Sequence, residues 1–205
     1  ALVSAYTASY VSGVLGLEKF SHPLNSEMTL DLPIAIKLVA LGLLFGLIGM
    51  LFSVLLKKTK VILSDYIKNN VVRILSLGSI IGILSIACFQ GRYSGPGSNL
   101  ILEGFSGDSM PWDFILKLIF TVFTLAAGFY GGEVVPLFSI GASAGCILAA
   151  VLGLPVELCV ALGYVGVFGS ATNTFFAPLL IGAEIFGTKY LPMFAIVCAI
   201  SYICN

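Results

Sequence analysis

Gly128-Phe129-Tyr130-Gly131-Gly132-Glu133-Val134-Val135-Pro136-Leu137-Phe138-Ser139-Ile140-Gly141-Ala142-Ser143-Ala144-Gly145 reads as a hinge followed by the start of an apolar helix. The Gly131-Gly132 pair frees the backbone, and Pro136 suits a first helical turn, where its missing N–H costs nothing. The first amides of such a helix find no acceptor within it and sit at the positive end of the helix dipole. Buried at membrane depth, they suit an anion that has shed its water. The backbone amides of Glu133, Val134 and Val135 are therefore the expected anion-binding groups.

The surrounding composition makes membrane depth the natural setting. Of 205 residues, 59% are hydrophobic and 10% charged, against roughly half and a quarter in soluble proteins. Charges leave uncharged runs at Leu38–Leu56, Ile74–Phe89, Val134–Val156, Leu158–Ala183 and Tyr190–Asn205, several near the roughly 20 residues that cross a bilayer as a helix. The expected fold is all-α: a polytopic, integral membrane protein embedded in the lipid bilayer. Net charge is zero, so no basic surface offers itself to nucleic acid. Lys57, Lys58, Lys60, Lys68 and Arg73 form one positive cluster, read as a loop, and positive charge favours the cytoplasmic side. Glu103, Asp108 and Asp113 then belong to a loop nearer the outer face.

Helix boundaries follow from breakers and caps. Ala1–Leu17 is a short helix, and a linker runs through Ser21-His22-Pro23 to Glu27. Asp31-Leu32-Pro33 opens a long helix to about Leu56. A second crossing covers about Val71–Phe89 and stops at Gly91-Arg92-Tyr93-Ser94-Gly95-Pro96-Gly97-Ser98. A short helix at about Asn99–Phe105 follows, and Pro111-Trp112-Asp113 opens another that ends near Ala127. Beyond Gly128, short apolar helices are broken at Gly131-Gly132, Gly153-Leu154-Pro155, Gly169–Asn173 and Gly187-Thr188-Lys189. Irregular backbone at membrane depth survives only when buried in protein or lining a polar cavity, so these breaks point to a transport pathway. Gly42/Gly46, Gly78/Gly82 and Gly141/Gly145 repeat at the spacing that lets helices approach closely, and packing alone accounts for all three pairs.

The Gly132-Glu133-Val134-Val135-Pro136 stretch resembles the Gly-x-Phe-x-Pro signature of the CLC family of chloride channels and chloride/proton antiporters. In that family the signature lies at a half-helix start that points at the bound anion. Gly91–Ser98 resembles the family's Gly-Ser-Gly-x-Pro-type turn and makes Gly95, Pro96 and Gly97 a second-site loop, while Ala177–Gly187 with Glu184 is similar to a later interface helix. Val134 stands where most of the family has Phe. The Gly-Gly-Glu-Val-x-Pro-Leu-Phe form is similar to the bacterial branch that exports fluoride in exchange for protons, in which Thr often occupies the place of Val135.

The resemblance implies an anion transporter of chloride or fluoride, with protons as a possible exchange partner, in a bacterial plasma membrane. Residues 1–205 would form one partial transmembrane domain, with 1–24 an interface helix and 31–205 the second repeat of an inverted-repeat fold with tilted and discontinuous helices. It also implies a homodimer whose interface uses Ala1–Leu17, Thr174–Phe186 and Tyr190–Asn205. The family's gating glutamate and coordinating tyrosine would lie outside this chain, which opens inside an apolar segment without an initiator methionine and reads as part of a longer protein. Glu133 has two readings. One is a proton-coupling or gating carboxylate, since intramembrane acids are costly and face a cavity or a partner. The other is an acid that favours the helix dipole, paired or not with a basic residue.

Other residues carry plainer expectations. Cys88, Cys146, Cys159, Cys198 and Cys204 fall in apolar stretches without metal-ligand spacing, so they read as small buried hydrophobes with no metal. His22 reads as a linker residue, Tyr130 and Tyr164 as packing or interfacial groups, and Glu184 as a structural hydrogen-bonding acid. Thr172-Asn173-Thr174 reads as the cap of the helix that follows. No His-Glu-x-x-His or Gly-x-Ser-x-Gly pattern occurs, so no enzyme and no cofactor are expected. The rival function is a cation-coupled solute carrier built on discontinuous helices, with Glu133 or Glu184 near a cation.

Overall fold

The computed structural model describes residues 2–17, 21–24, 28 and 30–205; Ala1, Glu27 and the side chain of Cys88 lie outside that set. The described chain is helical throughout: α1 Leu2–Val14, α2 Leu32–Tyr66, α3 Asn70–Phe89, α4 Ser98–Ser106, α5 Asp113–Ala127, α6 Val134–Leu152, α7 Val156–Thr172, α8 Phe176–Phe186, a 3-10 turn Thr188–Tyr190, and α9 Leu191–Ile203. Among the described residues α2, α3 and α6 are long and apolar enough to cross a membrane, and α7, α8 and α9 are shorter apolar helices.

α2 runs ten residues past its expected end at Leu56, so the basic cluster from Lys57 to Lys60 is helix and not loop. The reason is local: no Gly or Pro interrupts Leu56–Tyr66, and Lys and Leu hold a helix well. The turn shrinks to residues 67–69, where the Asn69 side chain accepts from the amides of Val71 and Val72 and starts α3. At 35 residues, α2 is about 52 Å long, well beyond the roughly 30 Å hydrocarbon core of a bilayer.

α6 and α7 form the centre of the bundle, with α2 and α9 packed against α7. The central contact is made by backbone against backbone. A Cβ at Gly141 would lie 2.0 Å from the Gly163 carbonyl oxygen, and one at Gly145 would lie 2.2 Å from that of Cys159. Gly42 and Gly46 instead make room for side chains, that of Ile200 on α9 and that of Cys204 at its end. Gly82 is different: nothing approaches within 4 Å of its Cβ direction, so packing explains its partner Gly78, which lies under the Phe129 ring, and not Gly82 itself.

Polar groups stitch the same helices. Ser170 donates to the Gly46 carbonyl (2.8 Å) and Asn205 donates to the Ser170 carbonyl (2.6 Å). Lys37 on α2 donates to the Leu152 carbonyl at the end of α6 (2.6 Å), where the helix dipole favours a cation. Tyr164 is core, stacked on Phe138 at 3.9 Å and edge-on to Phe186. Cys146, Cys159 and Cys198 are buried free thiols, and Cys204 is half-buried. The His22 ring packs on Phe105, and its amide donates to the Ile185 carbonyl.

Thr172-Asn173-Thr174 closes α7 and does not cap α8. Asn173 takes the left-handed conformation (φ 51°), its amide and that of Thr174 donate back to Ser170 and Gly169, and the two threonine hydroxyls bond each other. Asn tolerates this conformation, which is why it can end one helix where capping of the next was expected.

The glycine contacts make a paired expectation. Gly141→Ala should destabilise the protein by about 3 kcal/mol or more, because backbone cannot yield to the new methyl, whereas Gly82→Ala should leave stability unchanged or slightly raised. Thermal unfolding of the full-length protein in detergent checks both; equal melting temperatures for the two variants would refute the packing account.

Candidate functional site

Two helix starts converge on one cavity of about 610 Å³. The first is that of α4. α3 ends on Gln90 and Gly91, both with positive φ, and the chain turns through Gly95 (φ 64°) and Gly97 (φ 89°) into α4. Gly97 is required sterically, since a Cβ there would meet Ser139 Oγ at 2.6 Å and Lys117 Cε at 2.9 Å. The start of α4 thereby lies against the second turn of α6.

A broken helix leaves carbonyls without partners, and here a lysine from α5 supplies them. Lys117 Nζ donates to the carbonyl of Tyr93 (3.0 Å) and to that of Gly95 (2.7 Å), with the side chain 1% exposed. Ser85 and Ser94 hydroxyls tie the turn back to α3 at 2.7 Å. Behind it, Arg92 makes a forked pair with Asp113 and also binds Glu103. Tyr93 Oη and the Met110 amide donate to the same Asp113 carboxylate. Hydrogen bonding to Asp113 pushes the Arg92 pKa further above its ordinary value, so this charge is permanent. Asp113 stands at the start of α5 and Glu103 within α4, as the expected helix bounds had it, but Asp113 is fully buried and paired rather than a loop acid near the outer face.

The second helix start is that of α6. Gly128 (φ 107°) ends α5, and Arg73 Nε donates to the Ala127 carbonyl beside it at 3.1 Å. Residues 129–133 then return toward the middle of α3, where Phe129 covers Gly78. Glu133 is the N-cap of α6, its carbonyl accepting from Leu137, and its side chain forms no cap hydrogen bond. It is half-buried, and no ion pair involves it among the described residues. Val134 and Val135 are partly exposed (38% and 39%), and Tyr130 is fully exposed rather than packed.

Gly95 and Pro96 from the first break and Gly131, Gly132, Val135 and Pro136 from the second line this same cavity, whereas Gly97, Glu133 and Val134 are not in its lining. Lys117 is the charged residue in its wall; the remaining lining is glycine, hydroxyl and apolar groups such as Thr121, Thr124 and Phe120. A positive wall with free helix-start amides suits a small anion and opposes a cation. Glu184 stands exposed on α8, away from this lining. Among the described residues no group of three or more His, Cys, Asp or Glu side chains could hold a metal ion.

Lys117 is the residue that composition and spacing did not single out. Its signal was present: one cation in the apolar run Phe114-Ile115-Leu116-Lys117-Leu118-Ile119-Phe120, and an ionisable group inside a membrane helix marks a functional site by default.

Comparison with known proteins bears on the same residues. The family described as "Voltage gated chloride channel" matches residues 1–205. The chain is 33% identical over 208 residues to the "Chloride/fluoride channel protein" of Pseudomonas syringae pv. tomato, across 98% of this chain and 46% of that protein. It is similar to a crystal structure of a CLC-type fluoride/proton antiporter with TM-score 0.95 and 47% identity, across 98% of this chain and 51% of that one. The chain thus spans about half the length of these relatives.

Lys117→Met should leave the buried Tyr93 carbonyl unpaired, at a cost of about 1–3 kcal/mol, and remove the donor from the part-buried Gly95 carbonyl. A fall in the melting temperature of the full-length protein, with Lys117→Gln falling less because it keeps a donor, is the expected outcome; a melting temperature equal to wild type would show that the turn does not need the ammonium group.

Proposed function

This chain belongs to the voltage-gated chloride channel family, and on that premise we propose that it forms the carboxyl-side half of a transporter that moves fluoride or chloride in exchange for protons. It is an integral membrane protein, and its bacterial relative supports a plasma-membrane location. The observation that carries the anion reading is the convergence of the α4 and α6 starts on a cavity whose charged wall group is Lys117. The amides of Glu133, Val134 and Val135 coordinate the anion, Val135 from the cavity wall and the other two from the residues just before it, and Gly95 and Pro96 form part of the same wall. The 47% identity to a fluoride/proton antiporter supports fluoride.

Glu133 is the proton-coupling group in this reading. It sits one residue before the helix, half-buried, with neither a cap bond nor an ion pair among the described residues. A neighbouring anion raises the proton affinity of such a carboxylate, so proton uptake and anion occupancy become linked. Residues 31–205 act as one repeat and need the other half of the protein to complete the pathway. A homodimer is supported by the exposed apolar side chains of α1 and α8, among them Tyr6, Tyr10, Phe176 and Leu180.

The test uses the full-length protein in liposomes, with fluoride and chloride efflux read by ion-selective electrodes. Flux of either anion that responds to a proton gradient is expected; folded protein with no flux of either, or flux that requires sodium, overturns the proposal. Glu133→Gln should reduce pH-driven fluoride uptake to background while leaving the protein folded. Unchanged uptake would assign the carboxylate to the helix dipole alone.

A further inference from the structure

The buried residues of α2 stop at Ser53, yet the helix continues to Tyr66. About 20 residues suffice to cross the hydrocarbon core, so the last turns of α2 leave it even when the helix is tilted. They leave on the cytoplasmic side, where positive charge collects. Lys57, Lys58, Lys60 and Lys68 are exposed in this stretch, with Asp65 the one acid among them. Arg73, from the same basic cluster, is engaged by the carbonyls of Ala127 and Ile67 and by Asn70. The four lysines have no such hydrogen bonds or ion pairs among the described residues.

Exposed apolar side chains lie beneath these charges on the membrane side: Val54 (39% exposed) and Leu51 (50% exposed) precede Lys57 and Lys58 by one to two turns on the same face. Lys57 and Val61, and Lys58 and Ile62, are each one helical turn apart and so share a face. These four residues border one shallow recess, with Val61 60% and Ile62 52% exposed. Tyr66, one turn further, is also exposed. Ammonium groups over an aliphatic floor, at the level where a membrane helix leaves the core, match a molecule with an anionic head and an apolar tail.

We propose that the last turns of α2 bind the headgroup of an anionic phospholipid of the cytoplasmic leaflet. Lys57 and Lys58 hold the phosphate, Lys60 adds its charge from the adjoining face, and Val54 and Leu51 receive the adjoining glycerol and first acyl methylenes. Occupancy would fasten the cytoplasmic end of α2, whose other end packs against the central helices α7 and α9.

The experiment takes the full-length protein in detergent, adds dioleoyl phosphatidylglycerol or dioleoyl phosphatidylcholine, and reads retained lipid by native mass spectrometry. Retention of phosphatidylglycerol over phosphatidylcholine is expected, and the triple substitution Lys57→Gln, Lys58→Gln, Lys60→Gln should weaken it on the order of a hundredfold. Lys189→Gln, an exposed lysine elsewhere, should leave retention unchanged. Equal retention of the two lipids, full retention by the triple variant, or an equal loss in Lys189→Gln overturns the proposal. Displacement by glycerol 3-phosphate at matched concentration also overturns it, because the site would then recognise free phosphate. Unchanged elution of the triple variant establishes its fold, and the three single variants carry the comparison if it does not hold.

Discussion

A helix that starts inside a membrane leaves backbone groups unpaired, and the arrangement around the cavity depends on how Lys117 answers that constraint. Its ammonium group bonds the Tyr93 and Gly95 carbonyls, the first of which otherwise would be buried without a partner at a cost of about 1–3 kcal/mol. The lysine in turn gains acceptors that make its own burial tolerable. Because the turn is held, Gly97 can bring α4 against Ser139 of α6. The positive end of one broken helix is thereby set beside that of another. Such a place favours negative charge, which connects the folding constraint to the proposed transport of an anion.

The rest of the bundle serves as the rigid frame for this contact. Lipid supplies no hydrophobic drive between helices, so close approach must come from shape. Gly141 and Gly145 let α6 lie backbone to backbone on α7, and Lys37 and Ser170 tie α2 to the ends of those helices. The Arg92–Asp113–Glu103 cluster does similar work on the other side of the cavity, joining the turn to both α4 and α5. A buried ion pair adds little net stability. Its value here is positional, since Tyr93 and Met110 converge on the same carboxylate.

Much of the fold was legible because breakers are local. Gly91–Ser98, Gly131-Gly132 and Gly153-Leu154-Pro155 interrupt the helices where the structure interrupts them. The errors lay where the local signal was silent or ambiguous. Between Leu56 and Tyr66 the residues suit a helix while the clustered charge suits a loop, so the basic cluster passed for a loop although α2 runs through it. Asn173 can cap a following helix or end a preceding one, and only the partners of its amide decide between them. Asp113 was assigned to a loop near the outer face as well as to a helix start, and its burial was not legible because its partner Arg92 lies 21 residues away. Within the site, the helix start at Glu133–Pro136 was legible from the glycine pair and the proline, but Lys117 was not.

By itself the sequence determined the membrane setting, the helical class and the broken segments, the start of α6 among them, since these rest on hydropathy and on the φ preferences of Gly and Pro. Tertiary structure decided that the 91–98 and 131–136 breaks share one cavity, that Lys117 is its charge, and that Asp113 is buried. Those facts depend on which distant groups satisfy each other's hydrogen bonds. A side chain carries its charge in its identity, but its partners are chosen only when helices far apart in the chain are packed together.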